Sequence, residues 1–342
     1  MKFEERLKQF ETCLSATTLP EAFMDDAKWL VTRTKALAKE AAEAAKLEKL
    51  LTKYRQERNT ALDLEPASKI KKDFREALSN IGINETRFLV DYYYQSQKYR
   101  TASANQAKAL YKSDEPGDFV EWMMDRHLAM EKEIWRVLDK WTEDQPISVW
   151  AKSIVGIGPV ISAGLLAHID ITKAPTVGHI WRFAGLDPTR KWVKKTKRPW
   201  NAKLKTLCWK TGESFVKVCN NDDDVYGKVY AKRKEQEIIL NNEHRFADQA
   251  KYKLESFDIG KDTEAYGWYV KGMLPPDHIH SRAKRYAVKL FLSGYHEVAH
   301  YLHYGVLPPR PYVIDHLGHV HYFGPPNLDM IPGIRDAKRL GQ

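Results

Sequence analysis

The stretch Ile154-Val155-Gly156-Ile157-Gly158-Pro159-Val160-Ile161-Ser162-Ala163-Gly164-Leu165-Leu166 decides how this chain is read. Trp150 and Ile154 can close one helix. Gly156 and Gly158 allow a tight turn, with unusual dihedrals and no Cβ in the way. Pro159 suits the first position of a second helix, where its missing N–H and fixed φ cost nothing. Ala163, Leu166 and Ala167 can pack that helix against the first. The expected product is a helix-hairpin-helix whose turn presents N–H groups beside a helix N-terminus. Such a turn holds a phosphate oxygen without reading any base. Gly156, Ile157, Gly158 and Val160 are its expected contact residues. A plain glycine turn between two core helices is the alternative on Gly-x-Gly alone. The full pattern, with proline and then small and aliphatic residues, favours the helix-hairpin-helix.

Charge sharpens the reading just downstream. The chain has 342 residues and a net charge of +10. An excess of that size points to polyanions only where it is concentrated. Between Pro188 and Gly212 lie Arg190, Lys191, Lys194, Lys195, Lys197, Arg198, Lys203, Lys205 and Lys210, with no Asp or Glu. Lysines and arginines displace counterions from a phosphate backbone. Trp192, Trp200 and Trp209 are interleaved. Trp192 and Trp200 are the expected stacking residues for unpaired bases, and Trp209 is expected in the core. A solvated basic loop anchored by its tryptophans is the competing account of the same residues.

Outward from this centre the fold class is mainly α. Residues 24–59 hold no Gly or Pro, and Leu30, Leu37, Ala44 and Leu51 recur at heptad spacing. That predicts a long helix with a coiled-coil-like seam, or an amphipathic helix packed on its own chain. Further helices are expected from after Asn84 to about Tyr111 and from Asp118, with Asp118 and Glu121 as a capping box. Phe119, Met123, Met130, Ile134, Val137 and Trp141 would lie on or near one face of the latter. Others are expected over about 204–218, 225–250 and 281–304. Residues 220–224 read as a solvated loop. A short β-hairpin is expected near the end, Tyr312–Ile314 against Val320–Phe323 across Leu317-Gly318. The domains expected are a helical arm over 1–145, available for homo-oligomerisation, a helix-hairpin-helix domain over 146–220 and a helical, His-rich region over 221–342. Cys13, Cys208 and Cys219 form no CxxC pair, so neither a cysteine zinc site nor a disulfide framework is implied. Without a signal-peptide pattern or a membrane-length apolar run, a cytoplasmic protein with no membrane partner is expected.

Residues 150–188, ending in Gly178-His179-Ile180-Trp181-Arg182-Phe183-Ala184-Gly185-Leu186-Asp187-Pro188, together with the basic window and helix after them, resemble the C-terminal domain of the insertion-sequence 110/116/902 group of transposases. That domain pairs GIGPxxAxxLLAxI with an AGLxP turn; this chain has GIGPVISAGLLAHI and AGLDP. The resemblance covers about 65 residues and implies a nucleic-acid partner, DNA or RNA, and self-association. It does not extend to cutting. The family's N-terminal ribonuclease-H-like domain opens on a strand bearing a catalytic Asp, and residues 1–150 read as helix. The family's nucleophilic Ser follows the AGLxP turn, where this chain has Thr189 and Thr196 and no Ser. Threonine is the bulkier nucleophile, and neither has an evident partner base. No catalytic residue or cofactor is therefore expected.

An enzyme of another class, a zinc-dependent metalloprotease, is the alternative. His296-Glu297-Val298-Ala299-His300 matches HExxH, which on a helix puts two histidines on one face to chelate zinc, with the glutamate as base. Asp315, His316 and His319 in the tail are the candidates for a third ligand, with His316 the one singled out. The bland reading is a His-rich amphipathic helix: eight of the twelve histidines fall between Asp277 and Tyr322.

Overall fold

The structure, a computed structural model, describes residues 31–43, a few positions between 45 and 53, and residues 81–309 and 323–340. The chain divides into two compact units, 1–68 and 69–342. One hydrophobic core of the second unit runs from Val90 through the glycine hairpin to Ile334, across the positions 145 and 220 where boundaries were expected. In the first unit residues 31–43 are helical and Leu37 is exposed. The other heptad positions, Leu30, Ala44 and Leu51, lie outside the described residues.

Every regular element described in the second unit is helical. Helices α1 (Ile83–Lys112) and α2 (Asp118–Thr142) form a long antiparallel pair. The expected capping box is not formed: α2 begins at Asp118 itself, with Gly117 at the cap, and Glu121 accepts from the Tyr111 hydroxyl at 3.0 Å. Its expected apolar face is buried only in its second half. Ile134, Val137 and Leu138 enter the core, whereas Phe119, Met123 and Met130 are exposed. Helices α3 (Pro146–Lys152) and α4 (Pro159–His168) are the two arms of the glycine hairpin.

Helix α4 is buried on almost every side, which its run of Val, Ile, Ala and Leu requires. Helices α1, α2 and α3 pack on it, as does α6 (Ala202–Val218). Gly164 lets them approach: a Cβ there would meet Leu207 Cδ2 at 2.7 Å. Between them α5 (Val177–Phe183) leads into the AGLDP turn.

The remaining helices are α7 (Tyr226–Asn242), α8 (Ala247–Ser256), α9 (Glu264–Val270), α10 (Pro276–Tyr304) and α11 (Ile334–Leu340). The single helix expected over 225–250 breaks after Asn242, where His244 adopts a left-handed φ of 56°. Helix α10 starts five residues before the expected Ser281 and threads the core against α3, α5, α6 and α7. Its Phe291 and Tyr295 meet the fully buried Trp150 of α3, whose indole N–H donates to the Pro326 carbonyl at 2.8 Å. Residues 220–224 form a loop that is exposed over 220–223, and Asp224 at its end departs from the solvated reading. It is buried and accepts from the N–H groups of Gly227 (3.0 Å) and Lys228 (2.7 Å), closing the start of α7.

The expected β-hairpin lies outside the described residues except for its last residue, Phe323, which packs against Tyr226. No helix among the described residues is long and apolar enough to cross a membrane.

Candidate functional site

The glycine turn has the conformation its composition calls for. Gly156 sits at φ +95°, where a side chain is strained, and an added Cβ would lie 3.1 Å from Val218 Cγ2. Its carbonyl accepts from the Ser214 hydroxyl at 2.5 Å, which ties the turn to α6. Gly158 differs. It caps α4 in extended backbone (φ −95°, ψ 178°), and nothing lies within 4 Å of where its Cβ would stand. The fold does not require a glycine there. Pro159 is the first residue of α4, so the N–H groups of Val160 and Ile161 in its opening turn have no intrahelical acceptor. Gly156, Gly158, Val160 and Ile161 line a pocket of 320 Å³ with Trp209, Lys210 and Lys217 of α6 and Tyr94 and Gln97 of α1. Ile157 points the other way, into the core.

The AGLDP segment ends α5 in a Schellman turn. Gly185 takes φ +66°, and Leu186 N–H donates to the Trp181 carbonyl at 2.8 Å. The Trp200 ring covers this glycine so closely that a Cβ would meet its Cγ at 2.8 Å. Asp187 then accepts from both the N–H (2.9 Å) and the hydroxyl (2.7 Å) of Thr189. Thr189 therefore has a carboxylate partner that its sequence context did not reveal. The Thr189 hydroxyl bond, aided by the Thr189 N–H and Arg182 and opposed by burial, holds that carboxyl below the usual aspartate range. The pair locks a turn. The Thr196 hydroxyl donates to the Val193 carbonyl at 2.7 Å.

The basic loop over 188–200 is exposed along its length until Trp200. Arg190, Lys191, Lys194, Lys195, Lys197 and Arg198 all lie on it. Lys195 adopts φ +71°, and the Trp192 indole N–H donates across the turn to the Thr196 carbonyl at 2.8 Å. Trp192, with the Arg198 guanidinium 5.6 Å from its ring centre, is half exposed. Lys191 lies 5.5 Å over Tyr252 of α8. Of the two expected stacking residues, Trp200 is turned into the Gly185 turn, with Lys205 Nζ 4.0 Å over its ring.

Trp209 reverses the expectation made for it: it is 54% exposed. The buried stripe of α6 runs through Leu204, Leu207, Cys208, Thr211 and Phe215, and Trp209 lies beside it. Trp209 lines three pockets. The first is the glycine-turn pocket. The second, of 280 Å³, is formed with Arg198, Trp200 and Lys205. The third, of 390 Å³, is formed with Gly185–Pro188, Lys205, Lys284 and Arg285. Lys210 and Lys284 stand 5.5 and 5.4 Å from its ring centre. The surface is crowded with cations. Burial, then the Arg285 and Arg198 guanidiniums, push the Lys205 ammonium below its ordinary value; burial and Lys217 do the same to Lys210. Of the acidic groups nearby, Asp187 and Glu213 line the pockets, Glu213 is paired with Lys284, and Glu237, which acts on Arg285, is paired with Arg233 and Arg282.

Zinc chemistry finds no such convergence. The His296 Nε2 lies 2.7 Å from the Ala174 carbonyl, and burial pushes this imidazole down to about 4. His300 Nδ1 faces the Val306 carbonyl at 2.9 Å, and Lys338 stands 2.6 Å from Glu297. Each imidazole thus has one ring nitrogen engaged by a carbonyl, and Glu297 is engaged by Lys338. Among the described residues no group of three or more His, Cys, Asp or Glu could hold a metal ion; His316 lies outside them.

In comparison with known proteins, no family model matches the chain, and neither the curated proteins nor the solved structures provide a match.

Proposed function

We propose that this chain binds nucleic acid, DNA or RNA, by its sugar-phosphate backbone. The glycine turn of the helix-hairpin-helix supplies backbone N–H donors, and the basic loop and the cationic face of α6 supply the electrostatic attraction. The observation that carries the reading is the meeting at Trp209 of the Gly158 turn with Lys210 and Lys217 on one side, and of Arg198, Lys205 and Arg285 on the other. Cations that depress one another's proton affinity in a partly desolvated setting are relieved by a polyanion. The AGLDP turn and the hairpin it follows support kinship with the C-terminal domain of the insertion-sequence transposases. The reading does not include strand cleavage: the Asp187–Thr189 pair closes the AGLDP turn, and the Thr196 hydroxyl is bonded to the Val193 carbonyl.

Binding to duplex DNA and to structured RNA should weaken steeply with salt. Each neutralised phosphate contributes about 0.9 to the slope of log affinity on log salt for duplex DNA. Replacing Lys194, Lys195 and Lys197 together by Ala should lower that slope by roughly two to three. Unchanged slope and affinity in the triple variant would remove the loop from the interface. No salt-dependent binding of either polymer by the intact chain would overturn the function.

A further inference from the structure

We infer that the pocket between the AGLDP turn, α6 and α10 receives one unpaired nucleotide, its base stacked on Trp209 and its phosphate held by Lys205 and Arg285. This rests on the nucleic-acid reading above and narrows it to single-stranded or locally unstacked polymer.

Four features of the pocket lead there. Its volume, 390 Å³, falls within the range of about 300–1,000 Å³ typical of small-ligand sites, and it is concave, with walls from three separate elements. Trp209 presents an exposed indole at its mouth, on a helix whose apolar stripe does not need it. An aromatic ring in that position offers the sequence-tolerant π-face on which unpaired bases stack. The deeper lining is apolar and small: Cys208, Gly212 and Val288, where a Cβ on Gly212 would already touch Val288 Cγ2 at 3.3 Å. Finally, the charges are placed for a phosphate. Lys205 and Arg285 line the same pocket and repel one another. Lys284, by contrast, is committed to Glu213.

A duplex cannot use this pocket without giving up a base from its stack, since the faces of paired bases are covered by their neighbours. The glycine turn and the basic loop need only phosphates and accept either form. The chain thus carries a form-blind grip next to a form-selective pocket.

The test compares the full chain with Trp209→Ala and Trp209→Phe. The probes are oligothymidylate, oligouridylate, a blunt DNA duplex and an abasic deoxyribose-phosphate oligomer. Tryptophan quenching and anisotropy are read together. Because Trp209 is half exposed, neither variant should disturb the melting transition. Trp209→Ala should weaken binding of the single strands by about 5- to 150-fold, the range expected for losing one base–aromatic stack. Trp209→Phe should recover much of that affinity. Duplex and abasic oligomer should bind all three proteins alike. The thymidylate and uridylate arms distinguish DNA from RNA as the source of the nucleotide. Equal loss on the single strand and the abasic oligomer, or none on either, would overturn the pocket assignment while leaving the backbone grip standing. Failure of the unaltered chain to bind any of the four probes would overturn both.

Discussion

The glycine turn of the hairpin and the basic loop beyond it each contain one left-handed residue, and they use different amino acids for it. In the hairpin it is Gly156, at φ +95°. In the loop it is Lys195, at φ +71°. Glycine reaches this region freely, whereas a lysine there costs about 1–2 kcal/mol. The hairpin turn is half-buried, tied by Ser214 to α6 and backed by Val218, so a Cβ on Gly156 would press on packed neighbours. The loop is exposed and is held across its tip by the bond from the Trp192 indole to the Thr196 carbonyl. One turn is shaped for the fold; the other accepts strain while keeping a cation at its apex. Strain kept where charge is displayed is the pattern of a binding loop.

The largest effect should follow from Gly156→Ala. It adds a Cβ 3.1 Å from Val218 Cγ2 at a backbone angle that alanine avoids, so it should destabilise the second unit by about 1–3 kcal/mol. Thermal melting would register this as a drop of several degrees. A variant that melts like the parent would show that the turn relaxes, and the contrast with the loop would collapse.

Gly158→Ser separates fold from grip within the same hairpin. Serine is a better helix cap than glycine, and the space around Gly158 is open, so stability should hold or rise by a few tenths of a kcal/mol. The new hydroxyl, however, would accept from the first-turn N–H groups of α4 and stand where a phosphate oxygen must approach. A hydrogen bond to a charged group is worth about 1.5–3 kcal/mol, so nucleic-acid affinity should fall roughly tenfold or more. Parental affinity in this variant would mean that Gly158 serves only as a cap.

How far these features could be read from sequence differs between the two regions for physical reasons. The hairpin was legible because its signals are local: glycines at the turn, proline at the first helical position, and an apolar run too continuous to face water. The loop's charge was legible, its geometry was not, because no pattern of Lys and Arg sets φ at Lys195. Trp209 was misread through the general habit of tryptophan, although helical spacing from Leu204, Leu207, Thr211 and Phe215 already places it off the buried stripe. The meeting of Lys205 with Arg285 was invisible, since it depends on how α10 crosses α6. So was the break after Asn242, where His244 turns the chain without a glycine or proline to announce it.

The smallest effect is the one that tests the loop's strain directly. Lys195→Ala and Lys195→Gly remove the same charge, so both should weaken nucleic-acid binding alike through the lost counterion release. They differ in backbone. Alanine keeps the left-handed cost, while glycine relieves it but brings a more flexible unfolded chain, which offsets part of the gain. The glycine variant should therefore be the more stable of the two by up to about 1 kcal/mol, read as a modest difference in melting or in the denaturant midpoint. Proteolysis within 190–198 should follow the same order, because relief of strain favours the folded turn. An alanine variant as stable as the glycine one, or more so, would mean that Lys195 bears no strain. The loop's apex would then be shaped by the bond from Trp192 to Thr196 alone, and the two turns would differ in charge and burial but not in stored backbone energy.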